Sequence, residues 1–230
     1  MNLVLFGPPG AGKGTQARLI QDRHHLELIA TGEILRQEIK KKTPLGLQVE
    51  HIMAEGKYPS DDIILAVFKK RLSQVKDKGV ILDGLPRTMN QAKKIAETFK
   101  ELGHEIDAVI QLTVDEDKLI ERLSSRVTCE ECGRPYPKDF PFQRVEACSK
   151  CGSRSFSRRP DDEPEAVRTR FKVYNEQTKP LLNYYAKQGL LKVINGMKSI
   201  EEVNQEIEAL LEEMQVLTRK SGCLYSAQDI

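Results

Sequence analysis

No stretch of this chain approaches the ~18 uninterrupted apolar residues of a membrane span, so a membrane protein is not expected. Charge of one sign is also missing. The 36 Lys+Arg and 34 Asp+Glu leave a net charge of +2. That balance is too even for a polybasic surface devoted to nucleic acid or lipid. No internal repeat is visible. A basic n-region with a small-residue cleavage site is absent around Leu3-Val4-Leu5-Phe6, so no signal peptide is read and a cytoplasmic protein is expected. Cysteine is scarce and unevenly placed: of five, four fall between 129 and 151, and Cys223 stands alone. A secreted disulfide protein usually spreads its pairs, so metal binding is the better reading. What remains is a chain of 230 residues, 39% hydrophobic and 30% charged. That composition suits a globular domain whose core needs no disulfides, with room for a small insert.

Leu3–Phe6 is a short apolar run that stops at Gly7, as a buried parallel strand does. Leu26–Ile29, Val80–Leu82, Ala108–Thr113 and Leu190–Ile194 read as further strands. Helical patterns alternate with them over 13–24, 34–41, 45–55, 91–102 and 115–124. One helix begins after Ser60, one runs from Pro164 toward a break at Pro180, and Ser199 caps a last one ending near Leu217. The alternation predicts an α/β fold, a doubly wound parallel sheet. Residues 127–162 interrupt it with a Pro-, Cys-, Ser- and Arg-rich segment of little periodicity, an inserted module. Thr218–Ile230 shows no period and is expected to be a flexible tail.

Gly7-Pro8-Pro9-Gly10-Ala11-Gly12-Lys13 matches the P-loop pattern up to its lysine, between a strand and a helix as the motif requires. Glycines let successive backbone N–H groups face phosphate oxygens, and the following helix aims its positive end at them. Lys13 adds a mobile point charge. Position 14 is Gly, where Ser or Thr would touch Mg²⁺; the hydroxyl comes one residue later, at Thr15. Val80-Ile81-Leu82-Asp83 is a strand ending in a carboxylate, as in a Walker B element.

Cys129-x-x-Cys132 and Cys148-x-x-Cys151 enclose fifteen residues, 133–147. This is close to a zinc-ribbon spacing, and four thiolates suit a closed structural Zn²⁺ site; iron could fill the same cage. Arg122 and Arg126 lie four apart on one helix face before this module, and Arg159 and Arg170 follow it. Guanidiniums match phosphate oxygens bidentately. No histidine is compellingly placed: His24, His25, His51 and His104 read as helix-surface or loop residues.

Phe6-Gly7-Pro8-Pro9-Gly10-Ala11-Gly12-Lys13-Gly14-Thr15-Gln16 resembles the loop of nucleoside monophosphate kinases, especially adenylate kinases. Asp83-Gly84-Leu85-Pro86-Arg87-Thr88 resembles their D-G-[FY]-P-R signature, with Leu85 in place of the aromatic. Thr31-Gly32-Glu33-Ile34-Leu35-Arg36 resembles their T-G-[DE]-x-[LI]-R stretch, and Arg159-Pro160-Asp161-Asp162 their lid hinge. The resemblance covers about residues 1–217 and is to the long-lid type with a zinc-binding lid.

The resemblance implies transfer of the terminal phosphoryl group of MgATP to AMP, giving two ADP. It implies a P-loop core over 1–29, 60–124 and 163–217, an acceptor-binding insert over 30–59 and a lid over 125–162. Gly10, Ala11, Gly12, Lys13, Gly14, Thr15, Arg122 and Arg126 would hold ATP, with Pro135-Tyr136 and the Lys198 backbone near it. Thr31, Arg36, Lys57, Tyr58, Pro59, Gly84, Leu85, Pro86, Arg87, Gln91, Arg159 and Arg170 would take AMP, with Gln91 reading the base. Lys57-Tyr58-Pro59 would contact the base through its backbone, although Tyr58-Pro59 differs from the usual aliphatic pair. Asp83 would order Mg²⁺ through water. The small-molecule nucleotides are the expected partners, with no nucleic acid or membrane, and a monomer is expected.

Three alternatives are weighed on the residues, and the first two stay open. One is a kinase of the same fold with another pair, GTP with AMP or a UMP/CMP type; the long lid argues against the latter. Another is a zinc-ribbon nucleic-acid-binding ATPase. Against it, residues 125–162 carry eight Lys/Arg and six Asp/Glu, too balanced for a basic stripe. A GTPase switch would need an N-K-x-D guanine reader, and none is present.

Overall fold

The computed structural model describes residues 1–75, 78–124, 126–136 and 147–225. In chain order the elements begin β1 (Leu3–Phe6), α1 (Lys13–His24), β2 (Glu27–Ala30), α2 (Thr31–Lys40), α3 (Pro44–Ala54) and α4 (Asp61–Leu72). There follow β3 (Val80–Asp83), α5 (Met89–Glu101), β4 (Ala108–Thr113) and α6 (Glu116–Ser124). The inserted module contributes β5 (Val127–Cys129), β6 (Pro135–Tyr136) and β7 (Phe156–Ser157). The chain closes with α7 (Pro164–Val173), α8 (Leu181–Lys187), β8 (Leu191–Asn195) and α9 (Ile200–Tyr225).

Five strands form one parallel sheet in the order β2-β3-β1-β4-β8. The apolar run of β1 follows from its central place, because both faces of the strand are covered. Val4 and Phe6 join a core that includes Phe68, Ile95, Phe99 and Tyr185 from α4, α5 and α8. Leu3 and Leu5 point the other way, into a core with Ala17 and Ile20 of α1 and Ile207 and Leu211 of α9. The phosphate-binding segment of such a sheet lies beyond the carboxyl ends of its strands, and Gly7–Gly12 leaves β1 there.

The insert is the α2–α3 pair. Thr43 caps α3 by accepting a hydrogen bond from the Gly46 amide at 3.1 Å, with Pro44 in the first turn. A Cβ on Gly46 would sit 2.2 Å from the Glu38 carbonyl oxygen, so only glycine lets the two helices approach this closely. Gly56 has φ 77°, and a Cβ there would meet the Ala166 oxygen at 2.4 Å. The returning chain therefore presses directly on α7.

Residues 127–157 hold a strand order not legible in the sequence, a three-stranded antiparallel sheet β6-β5-β7. Two- and three-residue strands are too short to show a period. Two further differences appear in the C-terminal third. Pro180 divides two helices, so α8 follows the break; between them Tyr174–Thr178 forms a π turn, with the Lys179 amide bonded to the Tyr174 carbonyl at 2.9 Å. And α9 runs on to Tyr225, past the expected end at Leu217, since no proline interrupts it. Ser199 and Glu202 start it with reciprocal side chain–amide bonds of 3.2 and 2.9 Å, a capping box. Of the expected tail, 226–230 lie outside the described residues. No helix among the described residues is long and apolar enough to cross a membrane.

Candidate active site

The phosphate loop is held open by glycine. Gly10 (φ 83°) and Gly12 (φ 91°) lie in the left-handed region, which a side chain opposes. At Gly10 a Cβ would also stand 2.9 Å from Leu123. Lys13 opens α1, and its Nζ donates to the carbonyls of Gly7 (2.7 Å) and Pro8 (2.8 Å). Burial pulls the Lys13 pKa from 10.5 to about 8; Asp83 opposes this, while Arg87, Arg170 and Arg126 add to it. Groups from β3, the following loop, the start of the lid and α7 therefore converge on one ammonium. A small cleft of about 70 Å³ is lined by Lys13, Tyr58, Leu85, Arg87, Arg170 and Tyr174.

At position 14 a Cβ would lie 3.2 Å from Asp83 Oδ2. The bare glycine leaves that carboxylate oxygen uncovered. A hard cation that keeps several of its waters suits such a cradle, and magnesium is of that kind.

Asp83 ends β3, and Gly84 (φ 78°) turns the chain into the acceptor segment. Thr31 is 1% exposed and donates from Oγ1 to the Gly84 carbonyl at 3.2 Å. The first turn of α2 is thereby fixed to this segment. Arg87 Nε donates to the same carbonyl at 2.6 Å, and its guanidinium carbon lies 4.3 Å from the Tyr58 ring centroid. Leu85 is buried in the core, so the branched aliphatic fills the space under the acceptor segment. Gln91 is fully buried. Its Oε1 accepts from the Arg87 amide at 2.8 Å, and its Nε2 donates to Asp61 at 2.7 Å. One N–H and one lone pair of that amide stay uncommitted by these bonds. Lys57 turns outward to Glu55 at 2.6 Å, and Pro59 is buried.

Four arginines meet two carboxylates. Asp162, 2% exposed, accepts two bonds from Arg126 (2.8 and 2.6 Å) and one from Arg170 (2.9 Å). Asp161 lies 3.1 Å from Arg170 and 3.9 Å from Arg36. Burial pushes the Asp161 carboxyl up, but Arg170, Arg36, Arg159 and Arg126 outweigh it and hold it below its ordinary value. Burial, then the like charges of Arg36 and Arg126, drive Arg159 well below its ordinary value. Arg159 bonds the Gly133 carbonyl at 3.1 Å, and its buried Nε–H finds no partner among the described residues. Arg36 is likewise lowered, first by burial. Its side chain keeps about a third of its surface exposed while it reaches toward Asp161. Positive charge is in surplus here, so the cluster suits a polyanion.

The cysteine-bearing module lies against α2. Lys40 of α2 donates to the Glu130 carbonyl at 3.0 Å and pairs with Glu131 at 3.3 Å. Inside the lid the four cysteines face each other as free thiols, all Sγ atoms within 4.8 Å. Cys129–Cys151 and Cys132–Cys148 are 3.6 and 3.5 Å apart, far beyond a disulfide. Tetrahedral zinc with Zn–S of ~2.3 Å puts sulfurs about 3.8 Å apart, so the cage fits that ion. Matching turns at Gly133 and Gly152, with φ 70° and 74°, bring their amides back to the Cys129 and Cys148 carbonyls at 2.9 and 2.8 Å. Burial raises the Cys148 thiol, yet bonds from the Tyr136 hydroxyl and the Lys150 and Cys151 amides bring it down to about 6. Cys132 is pushed up to about 12, first by burial.

Not every expected residue reaches the cleft. Tyr136 is buried in the lid, its hydroxyl 3.1 Å from Cys148 Sγ and 3.0 Å from the Ser149 amide. Its side chain thus supports the turn that carries Cys148. The Lys198 side chain is committed to Glu206. Arg122 is on α6, with its side chain outside those described. His24 is not a solvated surface group, because it bonds the buried Glu208 at 2.8 Å. Asp161, Asp162 and Thr178 are site residues that the sequence reading gave no role. The Arg-Pro-Asp-Asp motif signals the two aspartates; nothing local signals Thr178.

A lysine-bearing glycine loop, an opposed strand-end carboxylate and a ring of arginines under a lid define a P-loop phosphotransferase site. The comparisons narrow this. The sequence model described as Adenylate kinase matches residues 5–190. The adenylate kinase of Methanosarcina barkeri is 45% identical over 213 residues, 92% of this chain and 98% of that protein. Those of Archaeoglobus fulgidus and Trichlorobacter lovleyi are 43% and 45% identical, over 93% of this chain and 99% and 100% of theirs. The chain belongs to the adenylate kinase family.

Proposed function

We propose that this protein transfers the terminal phosphoryl group of MgATP to AMP, reversibly, giving two ADP. The observation that carries the reading is the field around Lys13, where Asp83, Arg87, Arg126 and Arg170 all act on one buried ammonium. Lys13 and the amides of Gly10–Thr15 bind the donor phosphates. Arg122 and Arg126 extend that grip to the lid side, with the 135–136 and Lys198 backbones at the donor base. Arg87 and Arg36 take the acceptor phosphate; Thr31, the 57–59 backbone, Gly84–Pro86 and Gln91 surround the AMP. Arg159 and Arg170 face the group in transit. An acceptor phosphate oxygen bonds to the γ-phosphorus as the bond from that phosphorus to the β,γ-bridging oxygen of ATP breaks, and ADP leaves with that oxygen. The acceptor is already an anion, so the protein abstracts no proton.

Charge in the loose transition state spreads over the transferring oxygens, and the guanidiniums compensate it. Magnesium bound with the nucleotide would neutralise phosphate charge, and Asp83 is the carboxylate that would hold it. The insert 30–59 and the lid 125–162 shut the cleft against water, which would otherwise accept the phosphoryl group. The contact of Lys40 with Glu130 and Glu131 supports that role. Cys129, Cys132, Cys148 and Cys151 hold one structural zinc.

Steady-state assay of ATP, GTP and CTP against AMP, GMP, CMP and UMP tests the reading. ATP with AMP should give the highest kcat/KM. A higher value for GTP as donor, or for UMP or CMP as acceptor, would refute it.

A further inference from the structure

Tyr58 stands where the insert returns to the core. Its ring lies against the Arg87 guanidinium, 4.3 Å from centroid to Cζ. Its hydroxyl is 3.3 Å from Thr178 Oγ1, and Thr178 Oγ1 donates to the Arg87 carbonyl at 3.0 Å. A threonine hydroxyl has one proton, so Tyr58 is the donor in the first of these bonds. Ring, hydroxyl and backbone thus form a closed circuit around Arg87.

That circuit answers a physical problem. Arg87 shares the cleft with Lys13 and Arg170, both positive. Repulsion and rotamer freedom both work against a fixed guanidinium. Stacking fixes its plane while leaving the in-plane N–H edge available to a phosphate. Nε is already spent on Gly84 at 2.6 Å, which sets the remaining rotation. Thr178 closes the π turn that follows Arg170 on α7, so the same circuit relates Arg87 to a second arginine.

We propose that Tyr58 is a positioning residue for the acceptor phosphate, with its ring orienting Arg87 and Thr178 tethering the pair. This rests on the reading of Arg87 as the acceptor arginine. Tyr58→Leu keeps an apolar side chain but removes the ring. Its AMP KM should rise about five-fold, the scale of a partly desolvated cation–π contact, with the ATP KM unchanged. Tyr58→Phe keeps the ring and loses the hydroxyl, and its AMP KM should fall between wild type and Tyr58→Leu. Thr178→Val should produce a similar intermediate rise. In an Arg87→Ala background Tyr58→Leu should add nothing further.

Loss of packing would disturb both substrates, so the split between the two KM values is the informative readout. Equal rises in both KM values, or Tyr58→Phe no better than Tyr58→Leu, would overturn the proposal. If Arg87→Ala raises the AMP KM while Tyr58→Leu does not, the Tyr58 proposal falls and the acceptor assignment stands. If Arg87→Ala raises only the ATP KM, the acceptor assignment is wrong and the proposal falls with it.

Discussion

Asp162→Asn removes one charge and almost no volume from the most buried carboxylate of the site. Asp162 is 2% exposed, and among the described residues it alone joins Arg126 to Arg170, whose side chains are each 17% exposed. Removing one partner of a buried ion pair costs about 3–5 kcal/mol, because the other charge is left uncompensated. Asparagine keeps one acceptor oxygen, which puts the variant at about 3 kcal/mol. For a chain of this size each kcal/mol moves Tm by about 2–4 °C, so the midpoint should drop by about 6–12 °C. Scanning calorimetry or thermal fluorescence reads that directly. The site offers a sharper control. A bisubstrate mimic, two adenosines joined by five phosphates, would bring its own negative charge to Arg126 and Arg170. The penalty in Tm should therefore shrink in saturating mimic. An unchanged Tm, or a loss as large with the mimic as without it, would refute the view that Asp162 compensates Arg126 and ties it to Arg170.

Two further predictions follow from the loop and the lid. Freshly purified, reduced protein should contain one zinc per chain by metal analysis, and stripping it should lower Tm more than it lowers turnover at moderate temperature, because a closed four-thiolate site offers no catalytic position; no bound metal would refute the site. For Lys13, with its pKa drawn from 10.5 to about 8, kcat/KM for ATP should fall as pH rises through about 8, since the free enzyme then loses the charge that holds phosphate. Stability should move the opposite way over pH 8 to 10.5, because there the unfolded chain binds the extra proton. A pH profile of kcat/KM unchanged by Lys13→Arg would show that another group titrates.

The core was legible because its strands are buried on both faces. Leu3–Phe6 reads as an unbroken apolar run and Ala108–Thr113 as one interrupted only by Gln111 before its terminal Thr113, and their bounds in the structure are those the runs suggest. The loop was legible because each glycine answers a backbone requirement. The cysteine cage was legible from spacing alone. What escaped was set by tertiary contact. The lid strands are too short for a period. That the Tyr136 hydroxyl turns onto Cys148 is likewise set by the fold and by no local pattern. The roles of Tyr58 and Thr178 depend on residues 120 apart meeting, and no local pattern encodes that.

The arithmetic of the arginine cluster has a consequence for the catalytic cycle. Arg36, Arg126, Arg159 and Arg170 carry four positive charges, and Asp161 and Asp162 return two. The group is thus a loaded spring whose latch is the polyanion between its members. Polyphosphate compresses it; departing product releases it. Arg159 and the carboxylates adjoin the cysteine module and Arg36 lies on α2, so under the closure proposed above the recoil would act on those two parts. Reopening then needs no separate trigger. Its rate should depend on dissolved salt, because counter-ions supply part of the screening that the departing phosphates remove.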